Sequence, residues 1–459
     1  MRKSAAVIVL FLVSAAAAGQ PKLWTLDECI AHALENNSSI RQQIIETRIM
    51  SNNLSQSKLK LLPTLSGSGS YNLSFGRILD ETTYDFYDNE QVTSGSLYAG
   101  SSLTLFNGLV SYNRILRSRY ELEASEGALG ILRNDITLNV LHNYLQVLLS
   151  KELITIAAAQ LAATREQEVH TSAMVNAGRL TQGSLLDIEA QAAREELHLV
   201  SMQNQHRISL LSLAHLLNLD TAGGFDISAP PEDTAGEATL PPDAESVYTA
   251  ALQWWPALKK AEAMVDIAGS DLKIAKGQQS PKLMVSSAFS TGFADTRRRL
   301  LNNDPANPVY GFYPPADQLT DNIRYGVGFN LSVPVLNGWQ TRTGIRNSGL
   351  ELMKQELAAV EARKELLREI SLISADAQAA LKRRDAAGRS AAAAREAFSY
   401  AGQRFRAGDM TSSEYSTVKT FLLAAESELL QAEFQYIFSV KMLGFYSGSM
   451  QPGATVMKR

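Results

Sequence analysis

Two stretches of this chain, Val110 to Val175 and Gln340 to Gln403, run without a proline and are rich in Ala, Leu, Glu, Gln and Arg, a composition that favours uninterrupted helix. At about 1.5 Å per residue each would extend for roughly 95 to 100 Å. Helices of that length cannot fold back into a compact domain, so they must pack on neighbours along their length. Apolar residues keep a helical spacing, as in Leu129, Leu132, Ile136, Val140, Tyr144 and Val147, and later in Leu422, Ala425, Leu429, Ala432, Tyr436 and Leu443. Such stripes are helix-packing seams.

The two stretches belong to an internal duplication. "LFNG" at 105–108 answers "VLNG" at 335–338, and "NAGRLT" at 176–181 answers "RAGDMT" at 406–411, both at an offset of 230. Within that span Glu121, Leu122, Glu126, Ala128 and Arg133 meet Glu351, Leu352, Glu356, Ala358 and Arg363. Upstream the offset is 218: "ALENNSSI" from Ala33 meets "ALQWWPAL" from Ala251, and Pro63 meets Pro281. The change falls between Pro63 and Asn107 in one copy and between Pro281 and Asn337 in the other, which is where a variable loop must lie. The copies span 19–218 and 244–446, joined by a Pro-, Gly-, Asp- and Thr-rich linker at 219–243 and followed by a tail at 447–459. Each opens with a helix of about 50 Å, Leu26–Leu61 and Ala244–Gly277, and closes with a return helix, Leu180–Asn218 and Thr411–Phe445.

Between the helices the period changes to two. Leu65, Gly67, Gly69, Tyr71, Leu73 and Phe75 alternate with Thr64, Ser66, Ser68, Ser70, Asn72 and Ser74. Tyr325, Val327, Phe329, Leu331, Val333 and Val335 alternate with Arg324, Gly326, Gly328, Asn330 and Ser332, and 97–106 and 282–293 are comparable but less regular. Strands of about ten residues, apolar on one face and small or polar on the other, are the signature of a membrane β-barrel. Four strands cannot close a barrel, and open edges are not tolerated in lipid, so subunits must share it. Two copies would give eight strands, nearly filled by their own side chains; three would give twelve, wide enough for a water-filled duct.

The N-terminus is consistent with that destination. Arg2 and Lys3 precede an apolar run from Ala5 to Ala18 that ends in alanines, the pattern of a secretory signal peptide at 1–18. No unbroken run of eighteen apolar residues follows, so no spanning helix is expected in the mature chain. Cys29 is the only cysteine, which excludes an internal disulfide, and a small buried residue of the first helix is its expected role. With a net charge of -4 and 20% charged residues, nothing points to nucleic acid. The six histidines show no metal-ligand spacing, and there is no phosphate loop or G-x-S-x-G elbow, so neither catalytic residues nor a cofactor or metal site is expected.

The opening "WTLDECIAHALENNSSI", the "LFNG" and "VLNG" strand exits, the tips "NAGRLT" and "RAGDMT" and the duplication itself together resemble the TolC family of bacterial outer-membrane efflux proteins, over essentially the whole mature chain. The resemblance implies a mixed α and β membrane protein, internally duplicated, with four β-strands per chain in a trimeric 12-stranded outer-membrane β-barrel continued by a long periplasmic α-helical barrel. It implies a homotrimer without enzymatic activity, acting as the exit duct of a tripartite efflux or type I secretion system. Its hairpin tips, at 176–183 and 406–413, would dock on a periplasmic adaptor protein and through it on an inner-membrane pump or exporter. On that basis Ala177, Gly178, Leu180, Thr181, Ala407, Gly408, Met410 and Thr411 are the expected adaptor contacts. Gly178 and Gly408 suit the left-handed cap that ends a helix, and Thr181 and Thr411 the N-cap that starts the next.

The family's acidic entrance positions fall on Ser184 and Asp187 in the first copy and on Glu414 and Thr417 in the second. Asp187 and Glu414 are therefore the gate candidates, or else solvated carboxylates favoured by the helix dipole in a first turn. Met410 stands where the family carries an arginine, which removes a salt-bridge lock. The acidic stretch 80–90 and Arg297–Arg299 would face each other from loops on the exterior side, either as a pair constricting the mouth or as solvated charge. The rival architecture is a soluble periplasmic coiled-coil scaffold or adaptor, which shares the hairpins and the export signal but has no use for four alternating strands.

Overall fold

A computed structural model describes residues 23–79, 84, 86–219, 225–228, 241–302, 304 and 306–449. The export signal, most of the linker, the tail beyond 449 and residues 80–83 and 85 of the acidic stretch lie outside the described residues. In chain order the elements are β1 (Leu23–Trp24), α1 (Leu26–Asn36), α2 (Ser38–Leu59), β2 (Thr64–Leu79), β3 (Phe86–Phe106), α3 (Val110–Asn176), α4 (Gln182–Leu216) and β4 (Asp226–Ile227). There follow α5 (Ala244–Ala251), α6 (Pro256–Gly277), β5 (Lys282–Ala294), β6 (Arg298–Leu300), β7 (Tyr310–Phe312), α7 (Pro315–Asp321), β8 (Arg324–Ser332), α8 (Gln340–Ala407) and α9 (Ser412–Tyr446). Two compact units divide them, with boundaries inside α2, α3, α6 and α8: a helical unit of residues up to Glu46, Glu126–Lys260 and from Val360, and a sheet unit of Thr47–Ser125 and Ala261–Ala359.

The helical unit is held by two main apolar clusters. In one, Ile136, Val140, Tyr144 and Val147 of the α3 stripe meet Cys29, Ile30, Ala33 and Ile40 with Leu213 and Leu217. In the other, Leu366, Ile370 and Ala377 of α8 meet Val247, Ala251, Leu258 and Leu443. Cys29 is fully buried, and burial, with Glu28 adding to it, pushes its thiol up to about 12, so at neutral pH it is a protonated packing group. Tyr144 donates from its hydroxyl to the Ser228 carbonyl at 2.7 Å, next to the parallel pairing of β1 with β4.

Both opening helices break where the sequence reading has them continuous. The first stops at Asn36 and restarts at Ser38, with Asn37 extended and its Oδ1 accepting from the Ser39 and Ile40 amides. The second stops at Ala251 and restarts at Pro256, because the residue before a proline is driven out of the helical region. Asn37 and Trp255 are equivalent at the 218 offset, and Trp255 uses the break to stack on Tyr446 at 4.5 Å.

By length and composition α3 also contains an 18-residue stretch apolar enough to cross a membrane. The expectation drawn from unbroken apolar runs applies a stricter test, since averaging over a window tolerates isolated polar residues and a core helix can meet the averaged test as well. Ile136, Val140, Tyr144, Val147 and Leu148 of α3 are buried in the helical core.

The sheet unit is built on a four-stranded antiparallel sheet in the order β2-β3-β5-β8. β8 ends at Ser332, short of the Val333 and Val335 that the alternation included, since Pro334 cannot donate to a ladder. β3 begins at Phe86, well before the expected 97. The connection from β5 to β8 holds the β6–β7 hairpin and α7. There Gln318 is fully buried, donating to the Ala294 carbonyl and accepting from the Ala294 amide, so a side chain replaces the strand partner that β5 lacks at its end.

Candidate functional site

Register decides what the sheet presents. Leu65, Ser101, Ser287 and Val327 lie in one row, and Gly67, Ala99, Phe289 and Tyr325 in the next row of the same face. Thr64, Ser102, Ser286 and Gly328, then Ser66, Gly100, Ala288 and Gly326, lie on the other face, followed by Ser68, Tyr98, Ser290 and Arg324. Leu65, Tyr71, Phe75, Tyr325, Val327, Phe329 and Leu331 are all exposed, so the face that would be core in a soluble protein is turned outward. Hydroxyl pairs tie the opposite face, Ser70 with Ser96 at 2.8 Å and Thr64 with Ser102 at 2.9 Å. Among the described residues neither β2 nor β8 has a second strand partner.

The strand exits explain the repeated Asn-Gly. Gly108 and Leu109 both have positive φ, 66° and 61°, as do Gly338 and Trp339, 59° and 64°. The chain thus turns into α3 and α8 through two left-handed residues, the first of them a glycine at no steric cost.

In the helical unit both tips are the same turn. Gly178 has φ 72° and donates to the Val175 carbonyl, while Arg179 donates to Met174. Gly408 has φ 82° and donates to Phe405, while Asp409 donates to Arg404. These are the paired bonds that satisfy the last carbonyls of a helix. Ala177 donates to Ala173 within the closing turn of α3. Thr181 and Thr411 cap the return helices, accepting at Oγ1 from the Ser184 and Glu414 amides, each at 3.3 Å.

Glu414 completes a capping box: its carboxylate accepts from the Thr411 amide at 2.9 Å. Hydrogen bonds from the Thr411 amide and then its hydroxyl, with Arg404 adding a little, hold that carboxyl below its ordinary range. A carboxyl depressed in the folded state lends stability above its ordinary pKa and loses it as pH falls through the lowered value, so the cap is intact at neutral pH. Thr411→Ala should cost about 1 kcal/mol and show as faster hydrogen exchange confined to the first turn of α9.

The gate candidates separate. Glu414 lines a groove of about 1110 Å³ between the tips, together with Arg179, Leu180, Ala407, Gly408, Met410 and Thr411. Asp187 lines a different groove, with Arg194, Ser413, Thr417 and Phe421. An aromatic brace escaped the sequence reading: Tyr415 stacks on Phe405 at 4.9 Å and leans on Phe398 at 5.3 Å. The signal was available, because Phe398 and Phe405 are seven apart on one helix face, and the first copy carries Glu168 and Val175 there. Of the exterior charges whose side chains are described, Asp88 pairs with Arg77 of its own hairpin at 3.2 Å.

An exposed apolar sheet face backed by a small polar one, in a chain that also carries two capped helical hairpins, defines an outer-membrane channel protein with a periplasmic portion. The chain belongs to the outer membrane efflux protein family, whose sequence model matches residues 29–219 and 247–449. This is a family of transport channels rather than of enzymes, and the chain acts as an outer-membrane exit duct; the soluble scaffold is thereby set aside. The chain is similar to the outer membrane efflux protein BepC of Brucella suis, 22% identical over 430 residues, covering 93% of this chain and 86% of that protein. Its fold matches that of the outer membrane protein VceC from Vibrio cholerae (TM-score 0.74, 16% identity, 92% of this chain and 96% of that one). It also matches the MtrE outer membrane channel of Neisseria gonorrhoeae (TM-score 0.72, 17% identity, 92% and 88%).

Proposed function

We propose that three copies of this chain close a twelve-stranded barrel in the outer membrane, continued by a periplasmic barrel of helices, and that the hairpin tips dock on a periplasmic adaptor coupled to an inner-membrane pump or exporter. Residues 19–218 and 244–446 are the two structural repeats of each copy, joined by the linker at 219–243 and followed by the tail at 447–459. The observation that carries this reading is the registered sheet: one face carries the large exposed apolar side chains, the other is mostly small or polar, with both outer edges open among the described residues. Open edges in hydrocarbon leave several kcal/mol of unmade hydrogen bonding per group, and pairing β8 of one copy with β2 of the next removes them. Three copies rather than two leave a lumen that side chains do not fill.

Small solutes or proteins would pass from the periplasm to the exterior, with Asp187 and Glu414 tuning the entrance. The groove between the tips gives the adaptor a seat. The purified chain should run as a detergent-solubilised trimer and conduct ions in planar bilayers; recovery as a monomer without detergent would overturn the duct. Gly178→Pro or Gly408→Pro should reduce crosslinking to a co-expressed adaptor at least tenfold while the trimer persists. Loss of the trimer instead would show the tips to be assembly contacts.

A further inference from the structure

The duplication breaks at one buried layer of the helical unit. Thr164 and Glu195 stand, at the 230 offset, where Ala394 and Ala425 stand in the second hairpin. All four are buried, at 1%, 6%, 1% and 4% exposure. In the second hairpin the two alanines form an apolar cluster with Ala391, flanked by Leu422 and Leu429. In the first, the same layer holds a hydroxyl and a carboxylate, and Lys419 of α9, itself 3% exposed, inserts into it.

Every polar group there is engaged. The Lys419 ammonium lies 3.5 Å from Glu195 Oε1 and donates to the Gln160 carbonyl at 3.2 Å and to Thr164 Oγ1. Glu195 Oε1 accepts from Gln191 Nε2 at 2.8 Å and from Gln160 Nε2 at 3.3 Å, and Oε2 accepts from the Thr164 hydroxyl. Three helices, α3, α4 and α9, supply these groups, so the cluster joins the first hairpin to the return helix of the second.

A buried ion pair is a poor source of stability, because desolvating both charges offsets most of their attraction. Its physical distinction is intolerance of displacement. A seam lined by alanine accepts a slide of one helical turn with nearly the same contacts, whereas a slide past this layer strands an ammonium and a carboxylate apart without water. Single buried polar groups in helical seams specify register for this reason. We propose that Lys419, Glu195 and Thr164 form a register pin that fixes the axial height of the second hairpin's return helix against the first hairpin. The second hairpin's own seam needs none, since its two helices are already tied through the tip at Gly408.

The pin predicts a separation between stability and register. In the full-length assembly, with Cys29 replaced by Ala, spin labels are placed at the exposed positions Ala193 on α4 and Glu428 on α9, and labelled chains are diluted with unlabelled ones so that only intrachain pairs are read. The parent should give one narrow electron–electron distance. E195M/K419M, which keeps volume and removes both charges, should melt no lower than the parent yet show a broadened or second distance, displaced by about 5 Å for each helical turn of slide. K419M alone should melt lower, and the reversal E195K/K419E should restore the single distance. An unchanged narrow distance in E195M/K419M overturns the pin. Should that variant fail to assemble, a broad distance in E195K/K419E overturns it instead, and failure of both to assemble makes the pair a stabilising contact rather than a register device.

Discussion

Val327→Arg is expected to abolish assembly in the outer membrane, while Ser286→Arg, one residue along in register and on the opposite face, is expected to assemble and change ion selectivity. Val327 is 69% exposed in the row with Leu65, Ser101 and Ser287. Its neighbours on that face of β8 are Tyr325, Phe329 and Leu331. A guanidinium on a lipid-facing strand costs about 2–4 kcal/mol at the bilayer midplane and less toward the interfaces, and the proposed trimer would carry that cost three times. Ser286 lies with Thr64, Ser102 and Gly328 on the small polar face, where an arginine would meet water. The measurement is the amount of heat-modifiable oligomer extracted from membranes, followed by reversal potentials in a salt gradient. Equal tolerance of both arginines would mean that the exposed apolar face does not meet lipid.

That contrast rests on alternation, the part of the structure most open to reading from sequence, because a period of two has no other common cause once a second copy repeats it. The starts of α3 and α8 at Val110 and Gln340 were equally legible, since the Asn-Gly before each forces a turn and no proline follows. The failures share a different cause: they depend on tertiary partners. Asn37 breaks a helix with its own side-chain oxygen, yet asparagine inside a polar helical stretch is unremarkable. Gln318 looks like any loop glutamine until the end of β5 is placed beside it. Lys419 and Glu195 sit among Ser416, Thr420, Arg194 and Glu196, where a charge is ordinarily solvated, and only packing of α3, α4 and α9 buries them. Asp187 and Glu414 could be grouped by analogy between the copies, but the grooves that hold them differ. Local chemistry therefore fixed turns and faces, while burial of isolated polar groups needed the fold.

The two strand exits test how far the copies remain equivalent, and Gly108→Ala is expected to be far more damaging than Gly338→Ala. Both glycines are left-handed, φ 66° and 59°, so either alanine carries a conformational cost of about 1–2 kcal/mol. Their surroundings differ. A Cβ at Gly108 would stand 2.4 Å from the Gly277 carbonyl oxygen and 2.5 Å from Ser280 Cβ, whereas at Gly338 nothing lies within 4 Å. The Gly277 carbonyl is backbone at the end of α6, and Gly277 is itself closed in, since its own Cβ would fall 2.5 Å from the Gly108 oxygen. Neither side can yield without moving the start of α3 or the end of α6, so overpacking adds about 1–3 kcal/mol to the conformational cost. Gly108→Ala should then lower the chemical midpoint of unfolding about twice as much as Gly338→Ala, with the slope against denaturant unchanged. Matching losses at the two sites would mean that the exit at Gly338 is as tightly covered as the one at Gly108, by a neighbouring copy in the proposed assembly.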